Sequence, residues 1–215
     1  MRIVVFGAGG NVGQRIVNEA LGRHHRVTAI VRDEATMLPK HDLDVVEGDA
    51  TDPRSVARVS AGADAIVSAI SPRPGSDGRP SSSLSGAAAA LIEGATNAGV
   101  LRLVIVGGAG SLEIAPGQQL VDQADFPDAN KPEALAQREA LAVFRGYAGD
   151  LDWTYISPAA EIHAGQRTGE YRVSGDQLPV NDEGLSSISF EDYAVAVLDE
   201  IEQGAHPGQR MSVAN

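Results

Sequence analysis

A glycine-rich segment near the start of the chain has the spacing of a phosphate-binding turn. Residues 7–13 read Gly-Ala-Gly-Gly-Asn-Val-Gly and directly follow the apolar run at residues 2–6. In the pattern Gly-x-x-Gly-x-x-Gly, Gly7 makes the tight turn, Gly10 lets the backbone approach a pyrophosphate, and Gly13 lets the next helix pack on the strand. A dinucleotide site requires this strand, turn and helix; a purely structural glycine turn is the alternative. We therefore predict cofactor contacts at Gly7, Gly10, Asn11, Val12 and Gly13.

A basic residue follows the second apolar run. Arg32 stands where an NAD-specific site carries a carboxylate that binds the ribose 2′-hydroxyl. A guanidinium there suits a 2′-phosphate, so Arg32 favours NADP(H) over NAD(H), although Asp33 follows it directly. A solvated surface arginine is the alternative interpretation.

Two further strand ends supply the rest of the predicted cofactor site. Asp49 follows the third run and can accept a hydrogen bond from the adenine amino group, with Ala50 beside it. Asp49 is alternatively only a turn residue, and Asp52 is better explained as a helix cap. The residues that end the fourth run are expected beside the cofactor ribose, and they are Ser68, Ala69 and Ile70.

These residues need a sheet whose strand ends meet at one edge. Apolar runs rich in β-branched residues predict six strands, at residues 2–6, 26–31, 44–47, 63–70, 101–106 and 151–157. Most of them are apolar on both faces, as strands covered by helices on both sides must be. We therefore predict an α/β fold with a doubly wound parallel sheet and helices on both faces.

The segments between the strands predict the helices and the walls of the site. Apolar residues at helical spacing give four crossover helices, which begin near residues 11, 53, 84 and 131. Long connections at residues 71–83 and 107–130 follow strands at the ligand-binding edge and are expected to line the site. Residues 159–187 are expected to form a small substrate cap, followed by a capping box at Ser189 and a last helix to about Gln203. All of this predicts one domain over residues 1–215.

Composition limits the classes of function. The chain has 215 residues, 43% of them hydrophobic, which is enough for one buried core. Its net charge of −12 argues against a nucleic acid or an anionic membrane as the main partner. The absence of cysteine excludes thiolate catalysis, and the histidines lack ligand spacing, so no metal site is predicted. Because no apolar segment approaches the length of a spanning helix, we expect a cytoplasmic protein.

Five motifs, taken in order along the chain, resemble one known family. They are the glycine turn, Val-Arg-Asp at residues 31–33, Gly-Asp at 48–49, Val-Gly-Gly-Ala-Gly-Ser-Leu at 106–112 and Ser-Pro-Ala at 157–159. Together they resemble the atypical short-chain dehydrogenase/reductases, in the NmrA-like and NAD(P)H-flavin reductase branch related to biliverdin-IXβ reductase. The resemblance implies a Rossmann-like fold, an NAD(P) cofactor, Gly107 and Pro158 near the nicotinamide, and Ser111 as the serine of the site.

The chain departs from the wider family at the catalytic dyad. Short-chain dehydrogenases and epimerases use Tyr-x-x-x-Lys, in which the lysine lowers the pKa of the tyrosine so that it acts as an acid or base. None of the four tyrosines here has a lysine four residues later, and Gln137 lies about where related sequences carry that lysine. Ordinary alcohol dehydrogenase or epimerase chemistry is therefore not favoured.

The reaction that remains is hydride transfer from NADPH to a flavin- or quinone-like acceptor, which can collect its proton from water. Ser111 would orient the acceptor or donate a hydrogen bond to it, or it is only a turn cap. His163 would relay a proton, or it is a solvated loop histidine. A small molecule is then the partner. The alternatives are a non-catalytic NADP(H) redox sensor of the NmrA kind or, less favoured, an NAD-dependent epimerase or dehydratase.

Overall fold

An eight-stranded sheet with helices on both faces forms the centre of the molecule. The computed structural model describes residues 1–33, 37–71, 83–147 and 149–215. Its strands are β1 (Arg2–Phe6), β2 (Arg26–Val31), β3 (Leu43–Glu47), β4 (Ala65–Ser68), β5 (Arg102–Val106), β6 (Glu113–Ala115), β7 (Gln118–Gln119), β8 (Asp152–Ser157), β9 (Glu161–His163), β10 (Arg172–Ser174), β11 (Ser187–Ser189) and β12 (Gln209–Ala214). Its helices are α1 (Asn11–Gly22), α2 (Pro53–Ser60), α3 (Leu84–Ala98), α4 (Lys131–Gly146) and α5 (Phe190–Gln203).

The strand order places a switch point in the middle of the sheet. The order is β10, β12, β8, β5, β4, β1, β2, β3, and all neighbours are parallel except β10 and β12. The chain moves outward from β1 to β3, then crosses back to β4 and continues in the opposite direction. The reversal between β1 and β4 leaves a crevice at the carboxyl ends of these strands, where open α/β sheets bind ligands.

Each face of the sheet has its own apolar core. On one face, α1 and α5 pack together and bury Ile16, Tyr193 and Val197. On the other, α2, α3 and α4 cover Leu91 and Phe144, among others. The strands are buried between these two layers, which explains why most of them are apolar on both faces.

The six predicted strands and four crossover helices are confirmed, with shifted ends. The largest difference is in the fourth strand, predicted over residues 63–70, because β4 covers only Ala65–Ser68. Its neighbour β1 ends at Phe6, which pairs with Ser68, so the ladder has no partner beyond that point. The predicted caps are also present, since Asp52 Oδ1 accepts from Arg54 N at 3.0 Å and Ser189 Oγ accepts from Asp192 N at 2.9 Å.

The C-terminal part of the chain contributes more to the main fold than the sequence analysis predicted. β12 was not predicted, yet it lies inside the sheet between β8 and β10. β10 comes from the segment expected to form only a cap, at residues 159–187, and closes the sheet as an antiparallel edge strand. The rest of that segment contains β9, which pairs with β11 in a separate two-stranded sheet.

The structure describes one of the two long connections in full and only the two ends of the other. Residues 107–130 contain the β6–β7 hairpin and a 3-10 turn at Leu120–Asp122. The connection at residues 71–83 lies outside the described residues apart from its two ends. Within the described ranges, no helix is both long and apolar enough to cross a membrane.

Candidate functional site

A cavity of about 520 Å³ opens at the carboxyl ends of β1, β2 and β4, beside the switch point. We call it the cofactor cavity. The predicted cofactor residues that line it are Gly7, Gly10, Arg32, Asp49, Ala50, Ala69 and Ile70. Four separate turns along the chain thus converge on one cavity of a size that suits part of a dinucleotide.

The glycines of the first turn have the geometry that the sequence predicts. Gly7 has a φ of +74°, and a Cβ there would lie 2.5 Å from Ala69 O. A Cβ at Gly13 would lie 2.1 Å from Gly7 O, so only glycine lets α1 start this close to the turn. A Cβ at Gly10 would meet only Gly7 O, at 3.3 Å, and would otherwise extend into the open cradle. The fold requires glycine at positions 7 and 13, whereas Gly10 leaves room for a ligand.

The first backbone N–H groups of α1 have no side-chain cap. Its N-cap residue, Gly10, has no side chain that could accept a hydrogen bond from the helix, and the first turn has no acidic residue. The helices α2, α3 and α5 have side-chain caps from Asp52, Ser83 and Ser189, whereas α4, like α1, has none. The first backbone N–H groups of a helix have no partner within it, so at α1 they remain available for an anion. Together with the Gly10 cradle, this donor set fits the pyrophosphate of a dinucleotide.

Arg32 and Asp49 lie on the part of the cavity where the adenosine half would bind. Arg32 is exposed, directly beyond the end of β2, and Asp33 beside it also lines the cavity. Asp49 Oδ1 accepts from Thr51 N at 2.8 Å and from Thr51 Oγ1 at 2.7 Å. The Asp49 carboxylate therefore stabilises its own turn, as the alternative interpretation proposed, while it still faces the cavity.

Six other predicted site residues do not line the cofactor cavity. Asn11 and Val12 belong to the first turn of α1, and Gly13 is buried behind it. Ser68, Gly107 and Pro158 are buried at the ends of β4, β5 and β8. Their predicted contacts with a cofactor stay predictions.

Ser111 is buried and held by an arginine that the sequence analysis did not single out. Arg210 Nη1 donates to Ser111 Oγ at 2.9 Å and to Ser111 O at 3.0 Å, and Arg210 Nε donates to Asp176 Oδ1 at 2.6 Å. The Arg210 side chain is only 2% exposed, and burial lowers its pKa despite the charge of Asp176. Because Ser111 Oγ accepts from a cation, its own hydrogen is left to donate to a ligand. The catalytic role of Ser111 stays a prediction.

Three of the four tyrosine hydroxyls are poorly suited to donate a proton. Tyr155 donates to Gln137 O at 2.9 Å, and its hydroxyl also lies within hydrogen-bond distance of Gln137 Oε1, while burial raises its pKa. Tyr193 donates to Ile156 O at 2.6 Å and is fully buried, which also raises its pKa. Burial and the neighbouring Asp199 raise the pKa of Tyr171 in the same direction. Each of these three hydroxyls already has an acceptor, and each is a weaker acid than a free tyrosine.

His163 lies on the exposed strand β9. Its Nδ1 is 3.1 Å from Ala164 O and its Nε2 is 3.0 Å from Ser187 Oγ. A carbonyl can only accept, so Nδ1 donates to Ala164 O, and in the neutral imidazole Nε2 accepts from the serine hydroxyl. This network is local to the β9–β11 sheet, and the predicted proton relay through His163 stays a prediction.

Comparison with known proteins identifies the family. Residues 7–202 match a protein family described as NAD(P)H-binding. The chain belongs to this NAD(P)H-binding family. The matched residues include the glycine turn, every residue that lines the cofactor cavity except Phe6, and all of α5 but its last residue. The family match confirms the predicted resemblance, and the Rossmann-like fold is likewise confirmed.

Solved structures resemble this NAD(P)H-binding protein over nearly its whole length. A "putative exported protein" from Burkholderia pseudomallei is 45% identical with a TM-score of 0.88, over 100% of both chains. A "putative epimerase" from Bacteroides thetaiotaomicron is 38% identical with a TM-score of 0.89, over 99% of this chain and 96% of the other. A "putative NADH-flavin reductase" from Streptococcus pneumoniae is 32% identical with a TM-score of 0.83, over 100% of this chain and 99% of the other. The comparisons support an NAD(P)H-dependent oxidoreductase.

Proposed function

We propose that the protein is an NADPH-dependent reductase that transfers a hydride to a flavin- or quinone-like acceptor. The observation that carries the proposal is the cofactor cavity, in which Arg32 lies at the end of β2 together with the glycine turn. The bound cofactor would supply the hydride, and the chain would bind it, orient it and shape the acceptor site.

The preference for NADPH rests on charge. Arg32 is exposed on the cavity and offers a planar guanidinium to a 2′-phosphate. A charge-assisted contact of this kind contributes about 1.5 to 3 kcal/mol, which is about 10- to 150-fold in affinity. Because Arg32 is exposed to solvent, we expect a value at the lower end. Asp33, its neighbour on the cavity, would oppose a 2′-phosphate.

The acceptor class follows from the state of the tyrosines. A carbonyl reductase of the short-chain type needs a tyrosine with a lowered pKa, whereas Tyr155, Tyr171 and Tyr193 have raised pKa values and engaged hydroxyls. A conjugated acceptor does not need a tyrosine acid, because it can take its proton from water or from another group. The similar protein from Streptococcus pneumoniae is described as a "putative NADH-flavin reductase", and this description supports a flavin as the acceptor.

Binding and turnover assays on one pair of variants test the proposal. The parent protein should bind NADPH at least about tenfold more tightly than NADH and oxidise it with FMN, riboflavin or a benzoquinone. Arg32→Ala should remove most of that preference and leave NADH affinity unchanged. The matched control is Arg26→Ala at the opposite end of β2, where the side chain is 78% exposed. Equal affinities for NADPH and NADH in the parent would contradict the role of Arg32.

The second candidate is a non-catalytic NADP(H) sensor. The engaged tyrosine hydroxyls support it as well as they support the reductase, because neither function needs a tyrosine acid. The same assay separates the two. Tight NADPH binding without turnover of any flavin or quinone would favour the sensor.

A further inference from the structure

Glu133 extends the buried face of α4 beyond the end of the sheet. The buried residues of this helix are Ala134, Gln137, Ala140, Leu141 and Phe144. A Cβ at Gly108, just past the end of β5, would lie 3.1 Å from Gln137 Cγ. Glu133 precedes Gln137 by four residues, so it lies on the same face about 6 Å further along the axis. Since α4 runs antiparallel to β5, that direction leads past the carboxyl edge of the sheet.

The loop after β5 wraps the same turn of the helix. A Cβ at Gly110 would lie 2.5 Å from Ala134 Cβ, so the backbone of this loop packs directly against the residue next to Glu133. The loop continues to Ser111, which Arg210 holds. Glu133 therefore stands at the carboxyl edge of β5, on the side of the switch point where the nicotinamide half of a dinucleotide bound in the cofactor cavity would extend.

The carboxyl of Glu133 is accessible and yet partly desolvated. The residue is exposed, and the surrounding protein raises the pKa of its carboxyl through desolvation. In the part of the chain that the structure describes, no ion pair or hydrogen bond engages it. A raised pKa on an accessible carboxyl is a shift in the direction that a general acid requires.

The charged groups on the elements packed against this turn are engaged elsewhere. Asp122 of the 3-10 turn pairs with Arg138 at 3.2 Å. Arg210, beyond Ser111, pairs with Asp176. On α3, Glu93 lines a groove near Val143, almost three turns further along α4. Among the described residues, Glu133 thus has no basic partner that would lower the pKa of its carboxyl.

We propose that Glu133 is the catalytic acid of the site and lies against the nicotinamide end of the bound cofactor. This inference rests on the proposed function and deepens it. The acceptor gains a hydride with both electrons from the reduced cofactor and a proton from the Glu133 O–H bond. The products are the oxidised cofactor, the reduced acceptor and the Glu133 carboxylate, which water reprotonates. Such an acid favours acceptors whose oxygen or nitrogen gains a proton as the hydride arrives, such as quinones.

The first test measures binding and does not depend on turnover. The dissociation constants of NADP⁺ and NADPH are measured by calorimetry from pH 5 to pH 9 for the parent, Glu133→Gln and Glu139→Gln, the last an exposed control on the same helix. The oxidised nicotinamide ring is cationic, so ionised Glu133 should tighten NADP⁺ relative to NADPH by about three- to tenfold as the pH rises. The 2′-phosphate is common to both ligands and cancels in their ratio. Glu133→Gln should abolish this pH dependence, and Glu139→Gln should keep it.

The second test measures turnover with 1,4-benzoquinone and with FMN. Glu133→Gln should lower kcat by about 100-fold or more and remove the fall of kcat/KM at high pH, while the NADPH dissociation constant stays as in the parent. Glu133→Asp should restore part of the rate and the pH dependence.

The two tests separate the failure of each proposal. If the parent turns over neither acceptor but the affinity ratio depends on Glu133 as expected, the acceptor class is wrong and the assignment of Glu133 is retained. If the ratio has the same pH profile in the parent and in Glu133→Gln, the assignment of Glu133 is overturned. A fall in kcat below about threefold in a folded Glu133→Gln variant overturns it as well.

Discussion

Replacing Gly13 by alanine should destabilise the fold, because the added methyl group has no room. Its Cβ would lie 2.1 Å from Gly7 O, 2.9 Å from Gly7 C and 3.0 Å from Ala8 Cα. All three atoms are backbone atoms of the turn that leads out of β1, so no side-chain rotation can relieve the contact. The turn must move by more than about 1 Å, since non-bonded atoms prefer separations near 3.5 Å.

The expected magnitude is the balance of two effects. Overpacking costs about 1 to 3 kcal/mol, and a contact with backbone atoms places Gly13→Ala at the upper end. Alanine in place of glycine within a helix returns about 0.5 to 1 kcal/mol. We therefore expect a net loss of about 2 kcal/mol in the free energy of unfolding, a substantial part of the total for a protein of this kind.

Two neighbouring variants separate stability from binding. Gly10→Val meets only Gly7 O, at 3.3 Å, so it should cost about 1 kcal/mol at the N-cap while it blocks the pyrophosphate. Its NADPH affinity should fall by about 100-fold or more, because contacts between backbone N–H groups and phosphate contribute about 1.5 kcal/mol or more each. Gly9→Ala is the control, since a Cβ there has no neighbour within 4 Å.

Urea unfolding and calorimetry give the two readouts. Gly13→Ala should lower the unfolding midpoint without changing the slope, and Gly10→Val should fold but not bind. A Gly13→Ala variant as stable as the parent would refute the reasoning from the 2.1 Å contact. A folded Gly10→Val variant with the parent's NADPH affinity would remove the pyrophosphate site from the glycine turn.

Two further predictions concern turnover and acid stability. Replacing any one tyrosine by phenylalanine (Tyr147, Tyr155, Tyr171 or Tyr193), or His163 by alanine, should lower the turnover of folded protein by less than about tenfold. Ser111→Ala should lower turnover somewhat more, because an orienting hydrogen bond is lost. A thousandfold loss at one tyrosine or at His163 would instead show a dedicated acid there. Burial alone would raise the pKa of Glu200, but hydrogen bonds from His206 and the charge of Arg102 outweigh burial and lower it. Ionised Glu200 therefore contributes fully to the free energy of unfolding above the unfolded-state pKa near 4.5, and this contribution is lost as the pH falls below it. Between pH 6 and pH 3, the urea midpoint should fall less in Glu200→Gln than in the parent. At pH 6 the variant should already be about 3 to 5 kcal/mol less stable than the parent, because Arg102 is left buried without its acidic partner. Parallel pH profiles of the two proteins would count against the role of Glu200.

Most of the sheet was predictable because its strands carry their signal locally. The runs in β1, β2, β4, β5 and β8 are mostly apolar on both faces, and their short length and β-branched residues favour strands over buried helices. β12 was missed because Gln209, Arg210 and Ser212 interrupt its apolar residues. Arg210 is buried there with partners that are distant in the sequence, Asp176 at 34 residues and Ser111 at 99, and no local pattern encodes such partners.

The difference between local sequence signals and long-range packing also explains which residues of the site were predictable. The seven predicted residues that line the cofactor cavity were predictable because each stands at or just after a strand end, within a motif of a few residues, whereas Leu84 lines the cavity from the start of α3. Arg210 and Glu133 were not found, because their properties arise from tertiary packing. Burial of Arg210 depends on Asp176, and desolvation of Glu133 depends on the loop that packs beside Ala134. The one sequence signal for Glu133 is its position one helical turn before Gln137.

The two sides of the site are built from different parts of the chain, and this has a consequence for specificity. The cofactor cavity is formed by residues up to Leu84, in turns that backbone contacts of glycine fix. The proposed acceptor side is formed by the loop after β5, the first turn of α4 and the segment around Asp176. The buried side chain of Arg210 joins this loop, at Ser111, to Asp176. A buried charge that loses its partner costs about 3 to 5 kcal/mol, so this connection should be conserved in any functional variant while the exposed residues around it vary. Changes on the acceptor side can therefore alter the acceptor without altering the affinity for NADPH.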